Sequence, residues 1–151
     1  MKEKNKILKL SHDVAEFLGV ETLPIEFAPL GEEDSRLVIR PKSKIVINSK
    51  YQNDFVECAK CITHEYRHVY QIYYVKFMNN KLAALWKSEL ANAKNSGSLS
   101  TKLSFNNYKL QAIELDAFAF TYYYLKKLNI IVKNHDPEYQ AVIEEYIQKF
   151  I

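Results

Sequence analysis

Ile7, Leu10, Val14, Phe17 and Leu18 recur at spacings of three and four along the first part of the chain, and Gly19 follows them. That period gathers them on one side of an α-helix, and a glycine just past the last apolar position tolerates the left-handed turn that ends a helix. The pattern then changes. "LPIEFAPL" alternates and is bounded by Pro24 and Pro29, which predicts a short strand. "SRLVIRPKSKIVINS" holds two β-branched runs around residues 41–44, which predicts two strands joined by a hairpin or tight connection. From about Asn53 the helical period returns in Phe55, Ala59, Ile62, Tyr66, Val69 and Tyr73, with Ser49 or Asn53 as the expected cap and an end near Asn79.

The second half reads as helix throughout. "KLAALWKSELANAK" predicts one helix, "NSGSLSTK" a loop rich in Ser, Asn and Gly, and "NNYKLQAIELDAFAFTYYYLKKL" a second long helix. "NHDPEYQAVIEEYIQKFI" closes the chain as a helix, with Asp136 at the N-cap and Pro137 at the first helical position. No repeat or linker composition interrupts this order. It predicts an α+β fold in one compact domain over residues 1–151, with a small N-terminal β-sheet packed on the long helix near its middle and a mostly helical C-terminal half.

Composition narrows the class. The chain has 151 residues, 48% of them hydrophobic, enough for a packed core without disulfide or metal staples. Its net charge of +3 comes from 21 basic and 18 acidic residues with no basic run, so direct nucleic-acid binding is not expected. Cys58 and Cys61 are too few for a disulfide framework and suit free thiols in a reducing compartment. The first twenty residues carry lysines but no apolar core, as Glu3, His12 and Asp13 interrupt them, and no apolar run reaches membrane-spanning length. A soluble, cytoplasmic protein without membrane contact is expected; composition does not give its oligomeric state.

The chemistry concentrates in "ITHEYRHVYQ". On a helix, His64 and His68 lie a turn apart and only about 40° apart around the axis, so two imidazoles share one face and can bind one zinc ion. Glu65 is rotated about 100° from His64. It does not easily join the same coordination sphere, but it can reach a water on the metal, which is the arrangement metal-assisted hydrolysis needs. The third ligand must come from elsewhere. Gln71 and Tyr74 stand where a metzincin would have Gly and His, which excludes that class. His135 is far downstream at an expected helix start, whereas Glu114 sits in the apolar stretch "LQAIELDAFAF", where a carboxylate must face water, a partner or a metal. Cys61 falls near the azimuth of His68, either as a thiol sensing the metal or as a buried, inert one. "KIVIN", just ahead of the motif, reads equally as an open edge for an extended peptide or as an interior strand.

"ITHEYRHVYQ" followed about 46 residues later by "IELDAFAF" resembles the HExxH…E pattern of gluzincin metallopeptidases. Ala117 and Phe120, at steps of three after Glu114, are similar to the signature of the ImmA/IrrE-like family, and the compact size also fits minimal single-domain gluzincins. The resemblance covers roughly residues 40–125. It implies one Zn2+ per chain held by His64, His68 and Glu114, with Glu65 as the general base of a zinc endopeptidase. In that family the substrate is often a DNA-binding regulator, which implies a peptide or protein substrate. Candidates for an oxyanion donor are Tyr122, two turns beyond Glu114, and His135 or Tyr139 folding back. Arg67 is charged where zincins prefer an uncharged residue. Phe118 stands where relatives often carry Asp or Asn to receive a ligand histidine's N–H, and Asp116 lies about 200° around the helix from Glu114. These departures support an alternative: a catalytically inactive, gluzincin-shaped regulatory or interaction protein that binds zinc. A helical interaction module without metal is the third reading.

Overall fold

The computed structural model describes residues 2–95, 111–132 and 136–150. Helix α1 spans Lys2–Leu18 and ends at Gly19, whose φ of 69° is the left-handed turn that glycine adopts without strain. Strands β1 (Ile25–Ala28), β2 (Ser35–Val38) and β3 (Lys44–Asn48) follow, then a 3-10 turn at Ser49–Tyr51. Helix α2 runs Phe55–Phe77, α3 Lys81–Asn95, α4 Ala112–Lys127 and α5 Pro137–Ile147, with a last 3-10 turn at Gln148–Phe150. The fold is α+β with a mostly helical C-terminal half, as the periodicity predicts.

The sheet order is β1-β3-β2. β2 and β3 form the expected antiparallel pair, with Ser35 opposite Ile47 and Leu37 opposite Ile45. β1 lies parallel to β3 on its other side, with Ile25 opposite Ile45. "KIVIN" is therefore the interior strand, and its reading as an open edge is corrected. The physical reason is in its side chains: Ile45, Val46, Ile47 and Asn48 are all buried, which only a strand covered on both faces can sustain. Asn48 also ties down the loop before β2, donating from Nδ2 to the carbonyls of Gly31 and Glu33 at 3.0 and 2.9 Å.

Three helix starts show how local sequence becomes position. Neither Ser49 nor Asn53 caps α2; the carboxylate of Asp54 does, accepting from the Glu57 N–H at 3.2 Å, while Ser49 opens the 3-10 turn instead. Asp136 caps α5 as expected, accepting from the N–H groups of Glu138 and Tyr139 with Pro137 behind it. Helix α4 begins at Ala112, and Gln111 ahead of it provides no side-chain cap. Its first donors are met from outside, because Glu89 on α3 accepts from the backbone N–H groups of Ala112 and Ile113 at 3.0 and 2.8 Å. The expected start near Asn106 and most of the expected loop "NSGSLSTK" lie outside the described residues.

Helix α2 is the axis of the core. Its Cys58, Ala59, Ile62 and Tyr66 pack with Ile7, Leu10 and Val14 of α1 and with Ile45 and Ile47 of β3 in one buried cluster, which Trp86, Ile113 and Phe120 join from the later helices. The Tyr66 hydroxyl accepts from the Leu23 N–H at 2.9 Å and shares a 2.6 Å hydrogen bond with Ser11, fastening α1 and the entry to β1 onto the same helix. The polar residues of the motif consequently face α4 and β2 rather than water. No helix of the described residues is long and apolar enough to cross a membrane.

Candidate metal centre

His64 and His68 project from one side of α2 toward the first turn of α4, where Glu114 is the third helical residue. His68 Nε2 lies 2.8 Å from Glu114 Oε1, His64 Nε2 lies 3.1 Å from Glu114 Oε2, and the two Nε2 atoms are 3.2 Å apart. One ligand atom from each of the three residues falls within 4.8 Å of the others. His68 and Glu114 are 0% exposed and His64 is 7% exposed, so water does little to offset their charges. Glu89 has a part in this convergence: by holding the start of α4 it sets the height of Glu114 along α2.

The hydrogen bonds around His68 fix which of its nitrogens carries the proton. The amide N–H2 of Gln71 donates to the Ile113 carbonyl at 2.9 Å and to Asp116 Oδ2 at 2.8 Å. Its Oε1 is thereby turned to His68 Nδ1, 2.8 Å away. A carbonyl oxygen there can only accept, so the assignment places the proton on Nδ1 and, in neutral His68, a lone pair on Nε2. That lone pair faces a second imidazole nitrogen and a carboxylate. Glu114 Oε1, although 2.8 Å from His68 Nε2, has no aligned donor among the described residues. Converging lone pairs with a carboxylate call for positive charge between them, either a proton or a metal ion, and the donor set suits a divalent ion.

Without a metal, the surroundings of His68 favour its protonated form. Burial alone would push the His68 pKa down, but the charge of Glu114, their contact, the charge of Glu65 and the Gln71 hydrogen bond together bring it up to about 9. Burial would raise Glu114, yet the charges of His68 and His64 and their close approach hold it well below the usual carboxylate range.

Glu65 is 1% exposed and points to the sheet side of α2, where Ser35 of β2 donates to its Oε1 at 3.0 Å. Ser35 was not a sequence candidate; only the register of β2 on α2 reveals it. Gln71 and Asp116 find their partners only where α2 and α4 pack together. Arg67, charged where zincins prefer an uncharged residue, meets Asp116 of α4. Arg67 Nε and Nη2 donate to Asp116 at 2.7 and 3.1 Å, and the guanidinium is flanked by the rings of Tyr70, Phe120 and Phe150. Asp116 makes no direct contact with either histidine, in keeping with its offset around the helix from Glu114, and is linked to His68 only through Gln71. The azimuth that keeps it from His68 brings it to the amide that holds His68.

The remaining candidates fall around this centre. The Phe118 ring lies 4.5 Å from that of His64 and 5.9 Å from that of Tyr139 on α5. Tyr122 packs in a small cluster with Ala119, Tyr139 and Ile143. Burial, then the charges of Glu114 and Tyr122, raise the Tyr139 hydroxyl well above the ordinary tyrosine value. His135 lies outside the described residues. The Cys61 thiol is buried and aimed at the Asp34 carbonyl at 3.8 Å; burial outweighs a Ser35 hydrogen bond and pushes it far above the ordinary thiol range, which disfavours the reactive thiolate. In comparisons with known proteins, no family model, no curated protein and no solved structure matches the chain.

Proposed function

We propose that the chain is a zinc-dependent endopeptidase of the gluzincin type, similar to the ImmA/IrrE-like family, acting on a peptide or protein substrate in the cytoplasm. The observation that carries this reading is the buried meeting of His64, His68 and Glu114, with Glu65 on the adjoining face of the same helix. Two imidazole nitrogens and one carboxylate are a catalytic zinc donor set. His64, His68 and Glu114 would hold the zinc ion, which would supply Lewis acidity toward water and a peptide carbonyl near neutral pH.

The protein's own residues do the rest. Glu65 accepts the proton of the attacking water and passes it to the departing amine. Ser35 holds one oxygen of that carboxylate, which fixes its orientation. β2 is an edge strand, with no strand on its outer side among the described residues, and it carries Ser35. An extended peptide added along β2 would therefore run beside the base. A regulatory protein as substrate follows from the family resemblance.

The closure of the site favours a second reading, a zinc-binding interaction protein without turnover, because Glu65 is 1% and His64 7% exposed. Metal analysis and one substitution separate the readings. The native chain is expected to bind zinc stoichiometrically, and His64→Ala and Glu114→Ala to lose it. Glu65→Gln should keep the metal and lose hydrolysis of a peptide library. A function that survives Glu65→Gln supports the second reading, and a native chain without zinc uptake refutes both.

A further inference from the structure

Gln71 is neither a ligand nor a base, yet it is fully buried and every polar atom of its amide is engaged. Resting on the metal reading above, we propose that Gln71 is a positioning residue that holds His68 as a zinc ligand, with Asp116 locking its orientation. The Ile113 carbonyl and Asp116 Oδ2 both demand the N–H2 end of the amide, so the amide cannot turn over without placing oxygen against oxygen twice. The carbonyl end is left for His68 Nδ1 alone. A ligand histidine held in this way keeps Nε2 unprotonated and aimed, and partners of this kind affect metal affinity by about 10–100-fold.

Asp116 is in turn fixed from three sides. Besides Gln71 it accepts from Arg67 and, at 2.9 Å, from the Tyr146 hydroxyl of α5. The C-terminal helix is thus linked to the ligand through Tyr146, Asp116 and Gln71.

Two substitutions give opposite orders for a ligand-positioning role and a packing role. Gln71→Met keeps the volume and loses the acceptor. Gln71→Glu keeps an acceptor for His68 but sets a second carboxylate against Asp116. Zinc affinity of the full chain, measured by competition with a chromogenic chelator, is expected to fall about 10–100-fold in Gln71→Met and to stay within about threefold of native in Gln71→Glu. The Co2+ ligand-field spectrum should change in the first and persist in the second. Circular dichroism of both metal-free variants checks that they fold. The reverse order, or native affinity in a folded Gln71→Met, overturns the proposal while leaving the metal centre intact. A native chain that takes up no zinc overturns the metal reading and this one with it.

Discussion

Replacing Asp116 with leucine removes the carboxylate that Arg67 meets in the interior, at 2.7 and 3.1 Å. The guanidinium side chain is 11% exposed and is surrounded by rings, so water cannot easily take the carboxylate's place. Stripping one partner from a buried ion pair costs about 3–5 kcal/mol, a large share of the roughly 5–15 kcal/mol that holds a domain folded. Arg67→Met should cost about 3 kcal/mol, at the lower end of that range, because Gln71 and Tyr146 still donate to Asp116. The double variant leaves no stranded charge. Its cost is about 1–3 kcal/mol, from the Gln71 amide and the Tyr146 hydroxyl losing an acceptor. The two single changes therefore sum to about 6–8 kcal/mol while the double change costs far less, a coupling of at least about 3 kcal/mol. Urea unfolding of the metal-free chain, followed through the buried Trp86, the chain's single tryptophan, measures all four corners of the cycle. Costs that add to within about 0.5 kcal/mol, or an Asp116→Leu variant as stable as native, would refute the reasoning.

Ser35→Ala removes the hydrogen bond to Glu65 while leaving the ligands untouched; kcat is expected to fall about tenfold with zinc content unchanged, as measured by peptide hydrolysis and metal analysis. Glu89→Ala exposes the first donors of α4 and should cost about 1–2 kcal/mol in urea unfolding, with weaker zinc binding because Glu114 is less firmly placed. For pH, His68 is raised from 6.5 to about 9 in the metal-free fold, so its stabilising contribution is full below 6.5 and is lost as pH rises through about 9. Glu114 is lowered from 4.5, so its contribution is present above 4.5 and is lost as pH falls through its depressed value. The Tm of the metal-free chain is thus expected to drop between pH 6.5 and 9, and the drop to disappear when zinc replaces the proton; calorimetry with and without chelator reads both.

Much of the fold was legible because its cues are local. Helical periodicity marked α1 and α2, the stretches after them read as α3, α4 and α5, Gly19 and Asp136 marked boundaries, and β-branched runs marked β2 and β3. The spacing of His64, Glu65 and His68 needed only the pitch of one helix to bring two imidazoles together. Glu114 could be picked out because a carboxylate among apolar residues needs a reason to be there.

What the chain order could not decide depends on pairing between distant segments. The parallel pairing of β1 with β3 makes "KIVIN" interior, and the register of β2 on α2 brings Ser35 to Glu65. Glu89 becomes a cap for α4 only when α3 and α4 dock. Arg67 and Asp116 read as separate departures from a pattern until α2 and α4 lie side by side, where each is the other's counter-charge and Gln71 carries the link to His68. Sequence by itself determined which side chains could bind a metal, because ligand chemistry and helix pitch are properties of a few neighbouring residues. Tertiary structure decided what holds those side chains in place, because a buried hydrogen bond exists only where two remote backbones bring donor and acceptor within about 3 Å.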